Sequence, residues 1–237
     1  MRVRILAWPV VRSELCLGME FAKREQPMFW SFRRCLAILA MAFLVPPSLA
    51  FKTPLSDQAV REAYFLGQRR DGSLERLLGK YTKQLPPPKS GPYISSIALH
   101  TPYIQMVQYF SRQSNYSAQQ AALDYRRFGE ELVRVLVEIR LTPSYGRFIA
   151  ATNSPRPHDF WKDFNVQVYD GEEALTPYAS HGRANNTCGR GGPCFLIGAT
   201  IELEFPATAF TSDSATIEVD PPEGDLVSVN FDLSSLR

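Results

Sequence analysis

The spacing of apolar positions changes character several times along the chain, and each change marks an expected element. Ala59, Val60, Ala63, Tyr64 and Leu66 share a stripe at the three-and-four spacing of an amphipathic helix, with Ser56-Asp57 at its N-cap and Asp71-Gly72 stopping it after about Arg70. A second stripe, Leu74, Leu77, Leu78 and Tyr81, predicts a helix capped by Ser73 and running to about Leu85. Pro86-Pro87-Pro88 ends it and leaves an extended connector to Gly91. Ile94, Ile97 and Leu99 precede Thr101-Pro102, Tyr103 to Phe110 follows, and the stretch from Tyr93 to Arg112 reads as two strands. Ser117 with Gln120 three residues later has the form of a capping box, and Ala121, Ala122, Tyr125 and Phe128 carry a third helix to about Leu132.

The period then shortens to two. Val133, Val135, Val137, Ile139 and Leu141 alternate with mostly charged neighbours, the mark of a half-buried strand. Beyond Trp161 only short alternating runs remain: Phe164-Val166-Val168, Ile201-Leu203-Phe205, Ile217-Val219 and Val227-Val229-Phe231-Leu233. Asp170-Gly171, Pro221-Pro222 and Glu223-Gly224 punctuate them as turns. The expectation is an α+β fold, N-terminal helices followed by a mainly antiparallel β-sandwich, with a one-layer α+β arrangement as the alternative. Residues 51–160 form the helical and mixed part and residues 161–237 the β-sandwich part, one compact unit with the strands before it. No internal repeat is visible.

Ahead of these elements, residues 28–50 carry the layout of a secretory signal peptide. Arg33 and Arg34 form a positive flank, Cys35 to Val45 an apolar run, and Ser48-Leu49-Ala50 a small-x-small cleavage pattern. A membrane-crossing helix needs roughly 20 apolar residues, about twice this run, so cleavage after Ala50 is expected rather than retention as an anchor. Phe51, not Cys, follows the cut, so no thiol is there for a lipid anchor. The arginine pair also fits a twin-arginine signal, though an ordinary export signal has the same appearance. Residues 1–27 read as a misassigned start, with Met28 the true one, or as a disordered extension.

Export changes the charge picture. The first 50 residues hold 7 of the 26 basic and 3 of the 24 acidic groups, so removing them turns a net charge of +2 into −2. What remains is asymmetric: residues 54–147 carry 13 basic and 8 acidic side chains, residues 148–237 carry 5 and 13. Solvated surface groups explain such scatter, as would a polar partner or docking of the two halves. No dense basic run or interleaving of aromatic and basic residues argues for nucleic acid. A partner protein or another envelope component is the expected company, with no stable membrane span after processing.

Between Arg61 and Tyr145 the segments AYFLG (Ala63 to Gly67), KSGPY (Lys89 to Tyr93), TPY (Thr101 to Tyr103) and NYSAQ (Asn115 to Gln119) resemble a group of exported bacterial proteins of unknown function. The resemblance implies an extracytoplasmic location and brings no catalytic residues.

Cys188 and Cys194 bracket CGRGGPC and are the cysteines left after processing, so an oxidising compartment predicts a disulfide between them. Redox-active pairs usually have two intervening residues, and this pair has five. With His181 as a third ligand the same residues could instead begin a zinc site. The stretch from His181 to Pro193 reads as an exposed loop presenting Arg183 and Arg190, guanidinium forks suited to carboxylate or phosphate. Asp220, Glu223 and Asp225 lie on one turn and could converge on calcium, although a solvated turn has the same composition. His158-Asp159 is the candidate for a catalytic base and its orienter, but no GxSxG elbow supplies a nucleophile. Asn115 and Asn185 head glycosylation sequons, relevant only where that machinery exists. No cofactor signature is present. The sequence therefore points to an exported, non-enzymatic binding or structural module at the cell envelope; the alternative is a small extracytoplasmic hydrolase or metal-dependent enzyme.

Overall fold

In a computed structural model, described for residues 51, 53–114, 117–127, 130–144, 159–189, 192 and 194–237, helices come first and two antiparallel sheets dominate the rest. The proposed export segment, residues 28–50, lies outside the described residues. Helix α1 spans Asp57–Gly67, and its N-cap Ser56 accepts a hydrogen bond from the Ala59 amide, as the sequence predicts. Helix α2, Ser73–Lys80, is shorter than expected. Its cap is Gly72, in the left-handed region at φ 74°, rather than the Ser73 side chain. Tyr81 is buried, and Thr82–Gln84 leaves the helix as strand β1 to pair with Ser96–Ala98. Sheet hydrogen bonds, which periodicity does not register, override the helical pattern there.

Strand β2, Pro92–His100, matches the first of the two strands read from the sequence. The second is corrected: Pro102–Ser111 is helix α3. Thr101 caps it by accepting from the Ile104 amide, and Pro102 occupies the first turn, where its missing N–H costs nothing. Ile104, Val107 and Phe110 are fully buried at a spacing of three, a helical face that short alternation obscured. Helix α4, Ala118–Tyr125, has the predicted Ser117 cap but ends well before Leu132. Leu132–Leu141 is strand β3, whose odd-numbered residues Val133 to Ile139 are all fully buried.

Strands β4 (Asn165–Asp170), β5 (Glu173–Leu175), β6 (Ala179–Cys188), β7 (Cys194–Pro206), β8 (Ser214–Asp220) and β9 (Val227–Asp232) complete the sheets. One sheet has the order β1-β2-β3-β7-β6 and the other β5-β4-β8-β9. Their inner faces meet in a single core. Ile97, Val135, Val137, Ile201 and Phe205 from the first sheet join Val168, Ile217, Val219 and Phe231 from the second, and α1 and α3 add Val60, Ala63, Ile104, Val107 and Phe110. Burying each Val, Ile or Phe among these contributes about 1.5–3 kcal/mol. The described residues, from Phe51 on, form one compact unit. No helix among the described residues is long and apolar enough to cross a membrane.

Phe51 joins the core, its ring 6.1 Å from that of Phe210, which in turn lies 6.0 Å from Phe205. The following residues are tied down by Glu131. Its carboxylate accepts from the Thr53 hydroxyl and, at 2.8 Å, from the Leu55 amide, which also reaches the Tyr125 hydroxyl. At β4, the buried Asp170 carboxylate accepts from the Thr211 amide and hydroxyl and from the Ser212 amide, fixing the entry to β8.

Candidate functional site

The stretch from His181 to Pro193, expected as a loop, is largely strand. β6 and β7 pair continuously from Ala179 opposite Glu204 to Cys188 opposite Cys194, with a register shift between Asn185 and Asn186. Small residues permit this course. A side chain at Gly182 would strike the Trp161 ring, 2.2 Å from where its Cβ would stand, so the short 3-10 turn Phe160–Asp163 packs directly on β6. At Gly198 a Cβ would fall 2.0 Å from the Ile139 carbonyl oxygen, and only glycine allows β7 so near β3.

Among the described residues, Gly198 is also where pairing with β3 ends. Strand β3 accompanies β7 from Pro206 opposite Leu132 to Gly198 opposite Arg140 and no further. Beyond that level, Asn186–Cys188 and Cys194–Leu196 continue as a two-stranded ribbon among the described residues. The Cys188 and Cys194 sulfurs are 2.00 Å apart, a disulfide across directly opposed residues, as the sequence predicts. A cross-link between facing positions closes the ribbon at its tip and prevents the strands from fraying there. With the sulfurs bonded to each other, zinc binding by these cysteines and His181 is excluded in this state. Leu196 is half-buried and leans onto the core, while its neighbours Phe195 and Ile197 are 51% and 48% exposed.

Arg183, read as a loop residue, sits on β6 opposite Thr200 with its side chain exposed; Arg190 lies outside the described residues. His181 is exposed and opposite Glu202. Below the ribbon the same sheet carries a charged row: Arg134 Nε stands 3.0 Å from Glu204 and 3.4 Å from Glu202, ion-pair distances without hydrogen-bond alignment. His100 faces Arg134 in the neighbouring strand. Burial, with a smaller push from the Arg134 charge, lowers its pKa to about 4, so its imidazole is neutral at pH 7. The Asn185 side-chain amide donates to the Thr200 hydroxyl at 2.9 Å.

His158 lies outside the described residues, and Asp159 is on the surface in an ion pair with Lys162 at 3.0 Å. Asp220, Glu223 and Asp225 are all exposed at the β8–β9 turn. Among the described residues no three His, Cys, Asp or Glu side chains are grouped to hold a metal ion, so these carboxylates form no such set. Register does create a polar depression on the outer face of the second sheet, where Asn165 faces Asp220 and Gln167 faces Glu218 beside Leu226. Two amides and two carboxylates on solvent-facing rungs are what ordinary surface alternation produces.

Phe195 and Ile197 were missing from the sequence reading. Their signal was available: an apolar Phe-Leu-Ile run directly after a cysteine and a glycine-rich turn, at a point where alternation had not yet begun. The chain matches no protein-family model and no curated protein.

Proposed function

We propose that the chain is an exported, non-enzymatic binding or structural module of the cell envelope, working through the β6–β7 ribbon. The observation that carries this reading is the ribbon itself, a two-stranded extension closed by Cys188–Cys194 that bears exposed Phe195 and Ile197. Solvated apolar side chains on a closed scaffold serve recognition better than they serve stability, because they bury little surface in the free protein. The signal-like layout of residues 28–50 and the resemblance to exported proteins supply the compartment.

Two measurements test the proposal. The intact mass of protein from the extracytoplasmic fraction, alkylated with and without prior reduction, should correspond to a start at Phe51 and to thiols that react only after reduction. A shortened ribbon, with residues 187–195 replaced by a two-residue turn and Ile197→Ser, should keep the thermal transition but release the protein from the sedimented envelope fraction. Uncleaved protein confined to the cytoplasm, or unchanged envelope association of the shortened form, would overturn it.

A further inference from the structure

The exposed pair on the β6–β7 ribbon is matched in size to a lipid surface and lies in a stretch of sequence free of Asp and Glu. We propose that the ribbon docks peripherally on an anionic bilayer, seating Phe195 and Ile197 at headgroup level; this rests on the extracytoplasmic binding role proposed above. The register supplies the reach. Three residue levels separate Asn185, the last on β6 beside the supported part of β7, from Cys188. At about 3.4 Å per residue the disulfide stands roughly 10 Å beyond the last level shared with β3, with Phe195 opposite Thr187 one level short of it and Ile197 at the base beside Gly198. Apolar groups of peripheral proteins enter the headgroup and acyl boundary to about 5–10 Å.

Area separates a bilayer from a protein partner. Phe195 and Ile197, each about half exposed, present on the order of 200 Å² together. A stable protein interface buries about 800 Å² on each partner, several times more than this tip provides. A bilayer accepts a few apolar side chains when basic groups accompany them. From Arg183 to Thr200 the sequence contains two arginines and no Asp or Glu, a local departure from the acidic excess of residues 148–237. Arg183 is exposed and makes no ion pair among the described residues. The disulfide limits the ordering needed on contact, since the ribbon is already closed before it meets the surface.

The test is sedimentation with sucrose-loaded vesicles, using protein purified as the cell makes it. Vesicles of 30% phosphatidylglycerol in phosphatidylcholine are compared with phosphatidylcholine alone. Binding should be at least tenfold stronger to the anionic vesicles and weaken with added salt. The double variant Phe195→Ser, Ile197→Ser should lose at least tenfold while keeping its circular dichroism and melting temperature. Arg183→Gln should lose about fivefold, the effect of one basic residue near an anionic surface. A Phe195→Trp variant should shift its emission to the blue on the anionic vesicles alone. No sedimentation with either vesicle, or sedimentation unaffected by the double serine variant, would overturn the proposal and direct attention to an acidic protein partner. Cell fractionation answers the separate question of export, so failure of one reading is distinguishable from failure of the other.

Discussion

Gly67 and Gly79 are both helical glycines, and replacing each by alanine should change stability in opposite directions. Gly67 closes α1 where it crosses α3. A Cβ there would stand 2.6 Å from the Val107 carbonyl oxygen, 3.0 Å from the Ser111 nitrogen and 3.3 Å from the Phe110 carbonyl carbon. All three are backbone atoms of α3, so no side chain can swing aside. The adjacent Gln68 amide holds the helices together by donating to the Phe110 oxygen at 2.6 Å and the Gln113 oxygen at 3.1 Å. Restoring an ordinary contact requires the helices to separate by several tenths of an ångström, loosening Val60 and Ala63 against Val107 and Phe110. Overpacking of this kind costs about 1–3 kcal/mol. Alanine's better helix propensity returns at most about 1 kcal/mol, and less at a helix end. The net expectation is a loss of about 1–2 kcal/mol, or roughly 2–8 °C in melting temperature for a domain of this length. Gly79, exposed on α2, has nothing within 4 Å of its would-be Cβ, so Gly79→Ala should add about 0.5–1 kcal/mol. Urea and thermal unfolding followed by circular dichroism measure both. A Gly67→Ala protein as stable as the parent would refute the claim that α1 and α3 touch backbone to backbone.

Asp170→Ala should cost about 2–4 kcal/mol by leaving the Thr211 and Ser212 donors unsatisfied, and Asp170→Asn, which keeps an acceptor, roughly half as much; urea midpoints compare them. His100 titrates near 4 when folded against 6.5 when unfolded, so the unfolded chain binds the extra proton in that window. Stability is therefore full above pH 6.5 and falls as pH drops toward 4, by up to about 3 kcal/mol; the slope should flatten in His100→Gln, and an unchanged slope would remove His100 as its source. Reducing Cys188–Cys194 should lower stability by about 2 kcal/mol, the loop-closure value for so short a loop, measured as the shift in melting temperature with a phosphine reductant.

Short-range features of the fold were legible without coordinates. Ser56 and Ser117 cap helices where the sequence places them, and the alternation from Val133 to Ile139 buries the residues it should. The cysteine pairing was equally legible once the expected removal of residues 1–50 set Cys16 and Cys35 aside. Each depends on neighbours within a few residues, through capping hydrogen bonds or the period of side-chain direction. The same locality explains the error at Tyr103 to Phe110: eight residues are too few for strand and helix periods to separate, although Thr101-Pro102 carried the start signal.

Long-range pairing decided the rest. That Thr82–Gln84 leaves its helix follows from hydrogen bonds offered by β2, some fifteen residues away. The stretch from His181 to Cys188 has few apolar residues to announce a strand; it is one because β7 lies beside it and small residues let the Trp161 ring and the β3 backbone come close. Where β3 stops is a property of three strands together, and it is what leaves Phe195 and Ile197 exposed where, among the described residues, β7 pairs with β6 alone. By itself the sequence determined which residues favour helix or strand, which face of each is apolar and which cysteines pair. Only the tertiary structure decided register and strand length, because a strand's partner lies far along the chain and its hydrogen bonds leave no periodic trace in the residues that make them.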